Sequence, residues 1–194
     1  MTDTKEKIMQ IAARLFSERG YDKVSMREIA KTVGINSATI YHHFPSKGNI
    51  LHSLYAFYAL QHHREHPDLN ELLRLAETYP PHEVLRRAVF HFDEDVREML
   101  DAILVTAARR ICAESESEEF IRENIFANIE HTLRPLLERM MELEKIEPLD
   151  IDAFLKVVSY FCFSAASLSH SAFRQTPNEY DASLIQIFSL VVSK

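Results

Sequence analysis

Along nearly the whole chain apolar residues return every three or four positions, and no period-two run bounded by turn residues interrupts them, so the sequence predicts helices and no sheet. Ile8, Ile11, Ala12, Leu15 and Phe16 mark the inner face of a first helix that Asp3 or Thr4 caps and Gly20 stops. Ser25 followed by Glu28 has the form of a capping box. The serine hydroxyl accepts from the third helical N–H, the glutamate reaches back to the cap's own N–H, and a second helix begins at Met26. It turns Ile29, Ala30 and Val33 inward and ends at Gly34, which accepts the left-handed conformation without a Cβ clash. Asn36 or Ser37 caps a third short helix with Ile40 and Phe44 inward, which Pro45 closes. From Ser46 a longer helix carries Ile50, Leu51, Leu54, Tyr55 and Tyr58 toward His66 and Pro67. Further helices are predicted near 69–78, 81–92, 94–113, 117–145, 149–173 and 178–193, with a kink or break at Pro135 because proline removes a backbone donor.

Two short helices separated by a glycine-containing break form the local grammar of a helix-turn-helix. The outward face of the third helix is Ser37, Ala38, Thr39, Tyr41, His42 and His43, where a plain solvated helix would carry Lys and Glu pairs. Small polar side chains at a helix start let the backbone approach a groove wall, and the N–H groups there favour phosphate. A helical hairpin used only for packing is the alternative. Phe16, Gly20, Ser25, Ile29, Ala30, Gly34, Ile35, Ile40, Tyr41, Phe44 and Lys47, taken together, resemble the N-terminal DNA-binding domain of the TetR family of transcriptional regulators. The resemblance implies that the third helix enters the major groove. Ser37, Ala38, Thr39, Tyr41 and His42 would then lie at the groove, with Ser25, Arg27, His43 and Lys47 near the phosphate backbone. It also implies that the helix begun at Ser46 links the DNA-binding head to the body, so that its tilt sets the angle of the head. Gly48 departs from the family pattern, where a better helix former is usual, and weakens that helix's first turn by about 1 kcal/mol relative to alanine.

With 194 residues, 46% of them hydrophobic, the chain accommodates one large helical domain or a small domain fused to a larger one; the resemblance implies the second, an all-α protein with a helix-turn-helix domain over 1–48 and a helical effector-binding and dimerisation domain over 49–194. The net charge of −7 argues, taken alone, against nucleic acid. Residues 1–48, however, hold eight Lys/Arg against five Asp/Glu, which leaves +3 on the head and −10 on the remainder. A basic end on an acidic body orients a protein on DNA. Cys112 and Cys162 lie fifty residues apart without a pairing pattern and are expected as buried free thiols in a reducing compartment, with a redox switch as the alternative. The N-terminus lacks an apolar signal core and no apolar stretch has the length of a membrane span, so a cytoplasmic protein without a membrane partner is expected.

The last two segments are the most apolar. Phe154, Val158, Phe161, Ala165, Leu168 and Ala172 form one stripe, with Val157, Tyr160 and Ser164 beside it, and Leu184, Phe188 and Val191 mark the final helix. These faces are too wide for one neighbour and suit a four-helix bundle made by two subunits, the homodimer that the resemblance also implies; an intrachain core is the alternative. The family builds a ligand pocket inside the body. Phe57, Phe90, Ile103, Phe126, Leu133 and Phe161 are candidates for its wall, with His62, His91 and Arg109 as polar contacts, and this apolar supply favours a greasy or aromatic effector. His62, His63 and His66 cluster at helical spacing, but no metalloprotease or di-iron motif accompanies them, so no metal or other cofactor is expected. No nucleophile motif or phosphate-binding glycine loop is present, and no enzyme activity is expected. The sequence thus leads to a homodimeric repressor that leaves a pseudo-palindromic operator when a small molecule binds. Its alternatives are a regulator answering to a metal ion or a protein partner, and a helical enzyme with a borrowed hairpin.

Overall fold

The computed structural model of the chain describes residues 4–65, 67–89, 94–168, 182–183 and 185–189, with the side chains of 63, 65, 94, 95 and 165–168 excepted. Among these residues there are helices and turns and no strand. Helix α1 spans Thr4–Arg19, α2 Met26–Val33, α3 Ser37–His43 and α4 Lys47–Glu65; a short 3-10 turn, Tyr21–Lys23, joins the first two. The body follows as α5 (Leu69–Thr78), α6 (Pro81–Val89), α7 (Glu94–Arg110), α8 (Ser115–Ile121), α9 (Asn128–Glu142) and α10 (Ile151–Leu168), and 185–189 is again helical.

The predicted 117–145 segment is divided differently from expectation. Helix α9 runs through Pro135 uninterrupted, and the irregular stretch lies upstream, where Arg122–Ala127 adopts a π-helix. Proline removes one N–H, but Leu133, Leu136, Leu137 and Met140 are all buried on the face around it, and that packing outweighs a single absent bond.

Among the described residues the buried side chains form two hydrophobic cores. The first is not confined to the head: Ile8, Phe16, Ile29, Ile40 and Phe44 share it with Leu51 and Leu54 of α4, Leu100, Ile103 and Ala107 of α7 and Phe120 of α8. The second gathers α5, α6, α9 and α10 around Leu72, Leu85, Leu133, Leu137 and Val158, and takes in Phe188. Apolar packing therefore continues across residue 48, where the sequence led us to expect a domain boundary.

Part of the expected dimer stripe is used inside the chain. Phe154, Val158 and Phe188 are buried in the second core, with the Phe154 and Phe188 rings 6.1 Å apart, and Phe161 is half-buried against it. The neighbouring stripe is the one left outside: Val157 is 55% exposed and Tyr160 61% exposed. The other expected interface positions, Ala165, Leu168, Ala172, Leu184 and Val191, lie outside the residues whose side chains are described.

Candidate nucleic-acid interface

Helix α2 starts where Ser25 Oγ accepts from the Glu28 N–H at 3.2 Å, but the reciprocal half of the capping box is replaced by another contact. The Glu28 carboxylate turns to Arg19 at the end of α1 and ties the first two helices together. At the other end Gly34 adopts φ 84°, ψ 29°, and the N–H groups of Gly34 and Ile35 both reach the Ala30 carbonyl at 3.0 Å. This closes α2 and turns the chain sharply enough to place α3 across it.

Asn36 is the residue that caps α3. Its Oδ1 accepts from the Thr39 N–H at 2.8 Å and from the Thr39 hydroxyl at 3.0 Å. With its proton committed to Asn36, the Thr39 hydroxyl oxygen is left to accept, and an acceptor beside a methyl group suits a base amino group and a thymine methyl. Ile40 and Phe44 are buried and fix the helix from beneath. Ser37, Ala38 and His42 are exposed, Thr39 and His43 half-buried, and Tyr41 is 51% exposed. Ser25, the N-cap of α2, and Arg27, in its first turn, are exposed. Lys47 is placed differently from a side chain reserved for phosphate. Its ammonium donates to the carbonyls of Tyr21 at 2.7 Å and Val24 at 2.9 Å, and lies 4.1 Å over the Tyr21 ring, leaving one N–H of three for an outside partner. Desolvation lowers its pKa, with Asp22 acting in the opposite sense and Arg110 in the same one.

The head meets the body at the corner between α7 and α8. Arg110 lies 4.0 Å over the Tyr21 ring and 3.2 Å from Asp22, and Arg109 donates to the Ser17 carbonyl at the end of α1. From the α8 side, Glu116 meets His52 at 2.9 Å, and the Tyr55 hydroxyl bonds Ser117 at 2.9 Å beneath a stack of Tyr55 on Phe120 with centroids 4.3 Å apart. Nothing in the sequence marks these contacts, since the partners are up to 92 residues apart.

Burial pushes the Tyr55 phenol up from 10.0 to about 12, with the Ser117 hydrogen bond acting in the opposite sense, and raises Tyr58 likewise. A folded-state pKa above the unfolded one means that the stabilisation is complete below pH 10 and is lost as pH rises toward 12. For Tyr55 this amounts to about 2 to 3 kcal/mol. Denaturant unfolding measured across that range should show the fall, and Tyr55→Phe should make it shallower; an equally steep fall in the variant would contradict the assignment.

The pocket candidates that lie among the described residues are distributed over both cores. Ile103 belongs to the first core and Leu133 to the second; Phe57 packs against the first and Phe161 against the second. Phe126 sits 5.8 Å from the Tyr160 ring near the exposed face of α10, and Arg109 points to α1 instead of into the body. Residue type alone does not tell a core side chain from a pocket one. His62 stacks near Tyr58, while Phe90, His91 and His66, and the side chain of His63, lie outside the described residues. Among the described residues no group of three or more His, Cys, Asp and Glu is placed to hold a metal, and no helix is long and apolar enough to cross a membrane.

Comparison with known proteins adds to this geometry. Residues 8–54 match the model of the bacterial regulatory proteins of the tetR family. The chain is 28% identical over 155 residues to the HTH-type transcriptional regulator AcrR of Shigella flexneri, covering 72% of this chain and 66% of AcrR. Over 46 residues it is 50% identical to IcaR, the HTH-type negative transcriptional regulator of the biofilm operon icaADBC in Staphylococcus aureus (strain Newman), covering 24% of this chain and 25% of IcaR. The chain therefore spans less than two thirds of the length of these curated relatives. The fold extends over the whole chain: the crystal structure of the TetR family regulator PfmR from Thermus thermophilus superposes with a TM-score of 0.65 at 24% identity, covering 100% of this chain and 97% of that one.

Proposed function

We propose that this chain, which belongs to the tetR family of bacterial regulatory proteins through residues 8–54, is a DNA-binding transcriptional repressor acting as a homodimer on a pseudo-palindromic operator. The observation that carries the reading is α3, where Ser37, Ala38, Tyr41 and His42 are exposed and Thr39 is half-buried on a helix anchored by buried Ile40 and Phe44. The names of AcrR and IcaR, a transcriptional regulator and a negative transcriptional regulator, support the same direction. Two heads must sit about 34 Å apart to meet successive major grooves, which calls for a symmetric pair. The exposed Val157 and Tyr160 on α10 supply the apolar face for pairing.

Release by a small, largely apolar or aromatic effector is the regulatory part of the proposal. To weaken operator affinity a hundredfold the effector must favour the released arrangement by roughly 2.7 kcal/mol over the bound one. The body can pass that difference to the head through α4 and through the α7–α8 corner, both of which share the head's apolar core.

Duplex binding measured over a range of salt concentrations tests the proposal. With Arg27 and the remaining Lys47 donor on each head, four cationic contacts in the pair give a slope of log affinity against log salt of roughly −3.6. Binding that is insensitive to salt, or absent for duplexes drawn from a large random pool, contradicts it.

A further inference from the structure

We propose that Arg110 is a positioning residue for DNA recognition, clamping the α1–α2 turn to the body so that the two reading helices of a dimer keep a fixed separation. The inference rests on the repressor reading above and adds a residue that lies neither on α3 nor in the body's core. The Arg110 side chain, 13% exposed, is held by Glu114 through Nε at 3.0 Å and through its terminal nitrogen at 2.6 Å. With its fork so oriented, the guanidinium covers the Tyr21 ring at 4.0 Å and reaches Asp22 at 3.2 Å. Tyr21 in turn stands edge-on to Phe16, 5.0 Å between centroids, inside the head's own core, and Lys47 of α4 lies over the same ring.

One aromatic side chain is therefore gripped from α7 and from α4 while it plugs into the head. Arginine suits this place because a planar fork stacks on a ring and bonds carboxylates at the same time; an ammonium is a point charge and does not reproduce both contacts. The neighbouring Arg109, donating to the Ser17 carbonyl, braces the other end of the same turn. Tilt of α4 alone thus does not determine where the head sits, because the turn is also fastened to the corner between α7 and α8.

Half-site spacing provides the test. Duplexes selected from a random pool by the full-length parent are rebuilt with the two half-sites one base pair closer and one base pair farther apart, and affinities and melting temperatures are measured for parent, Arg110→Ala, Arg110→Lys and Tyr21→Leu. The parent should lose at least about tenfold on either altered spacing, since each shift rotates one site by about a tenth of a turn. Arg110→Ala and Tyr21→Leu should lose about tenfold on the selected duplex and discriminate the three spacings by less than about threefold, because a loosened head accommodates all of them more equally. Arg110→Lys should follow Arg110→Ala although it keeps the charge. The proposal is overturned if the variants retain the parent's steep spacing dependence, if affinity falls in parallel on all three duplexes together with the melting temperature, or if lysine restores the parent's behaviour. A parent that selects no duplex overturns the repressor reading itself, and this inference with it.

Discussion

Replacement of Tyr41 by alanine is expected to weaken operator binding by about tenfold to a hundredfold per reading head, the range that a lost specific contact of roughly 1 to 3 kcal/mol gives. The ring is 51% exposed and stands on α3 next to Ile40, which is fully buried. Removing the first takes nothing from the core, whereas removing the second would undo the helix's anchorage. Tyr41→Ala should therefore melt like the parent and keep the same mass in solution while its affinity for a selected duplex falls. An aromatic ring on a groove-facing helix contacts thymine methyl groups and sugar through its faces and phosphate through its hydroxyl, and alanine supplies none of these. A variant that binds as tightly as the parent removes α3 from the interface.

Phe120→Ala should produce the largest loss of stability, about 3 to 5 kcal/mol by denaturant unfolding. Phe120 is buried, lies almost parallel to Tyr55 at 4.3 Å and 12°, and meets Tyr58 edge-on at 5.1 Å and 79°. Its loss opens a cavity at the place where α8 rests on α4. Because the head's apolar core continues through α4 into α7 and α8, the two parts of the chain should unfold in one transition in the parent. A head that melts separately at the same temperature in parent and variant would contradict the shared core.

The head was legible in the sequence because its structure is decided locally. Ser25, Asn36 and Ser46 are each followed three residues later by the N–H they cap, at 3.2, 2.8 and 3.2 Å, and Gly34 is the left-handed residue that ends α2. Where a side chain had two possible partners, the nearer in sequence did not always win: Glu28 pairs with Arg19 instead of completing its own capping box. The body was legible as a set of helices and less so as a set of surfaces. Helix α10 is apolar on most sides, and periodicity places Val158 and Val157 on adjacent stripes without saying which one the chain's own α9 covers; it covers the first. Contacts such as Arg110 with Tyr21 and Asp22 join residues almost ninety apart, and no local pattern announces them. The same long-range packing places Ile103 in the first core and Leu133 in the second, which no local pattern announces either.

Two copies of one head, each presenting the α3 residues Thr39 and Tyr41, are expected to read a duplex from one side. Footprinting of the full-length protein on a duplex it has selected, with probes that report major-groove and backbone access at each base pair, tests it most directly. The account predicts two protected major-groove segments of similar sequence and opposite orientation, on one face of the duplex and about one helical turn or a small multiple of it apart, and loss of protection in both with Tyr41→Ala. A lone protected segment, protection confined to the minor groove, or a pattern unchanged by Tyr41→Ala would contradict it.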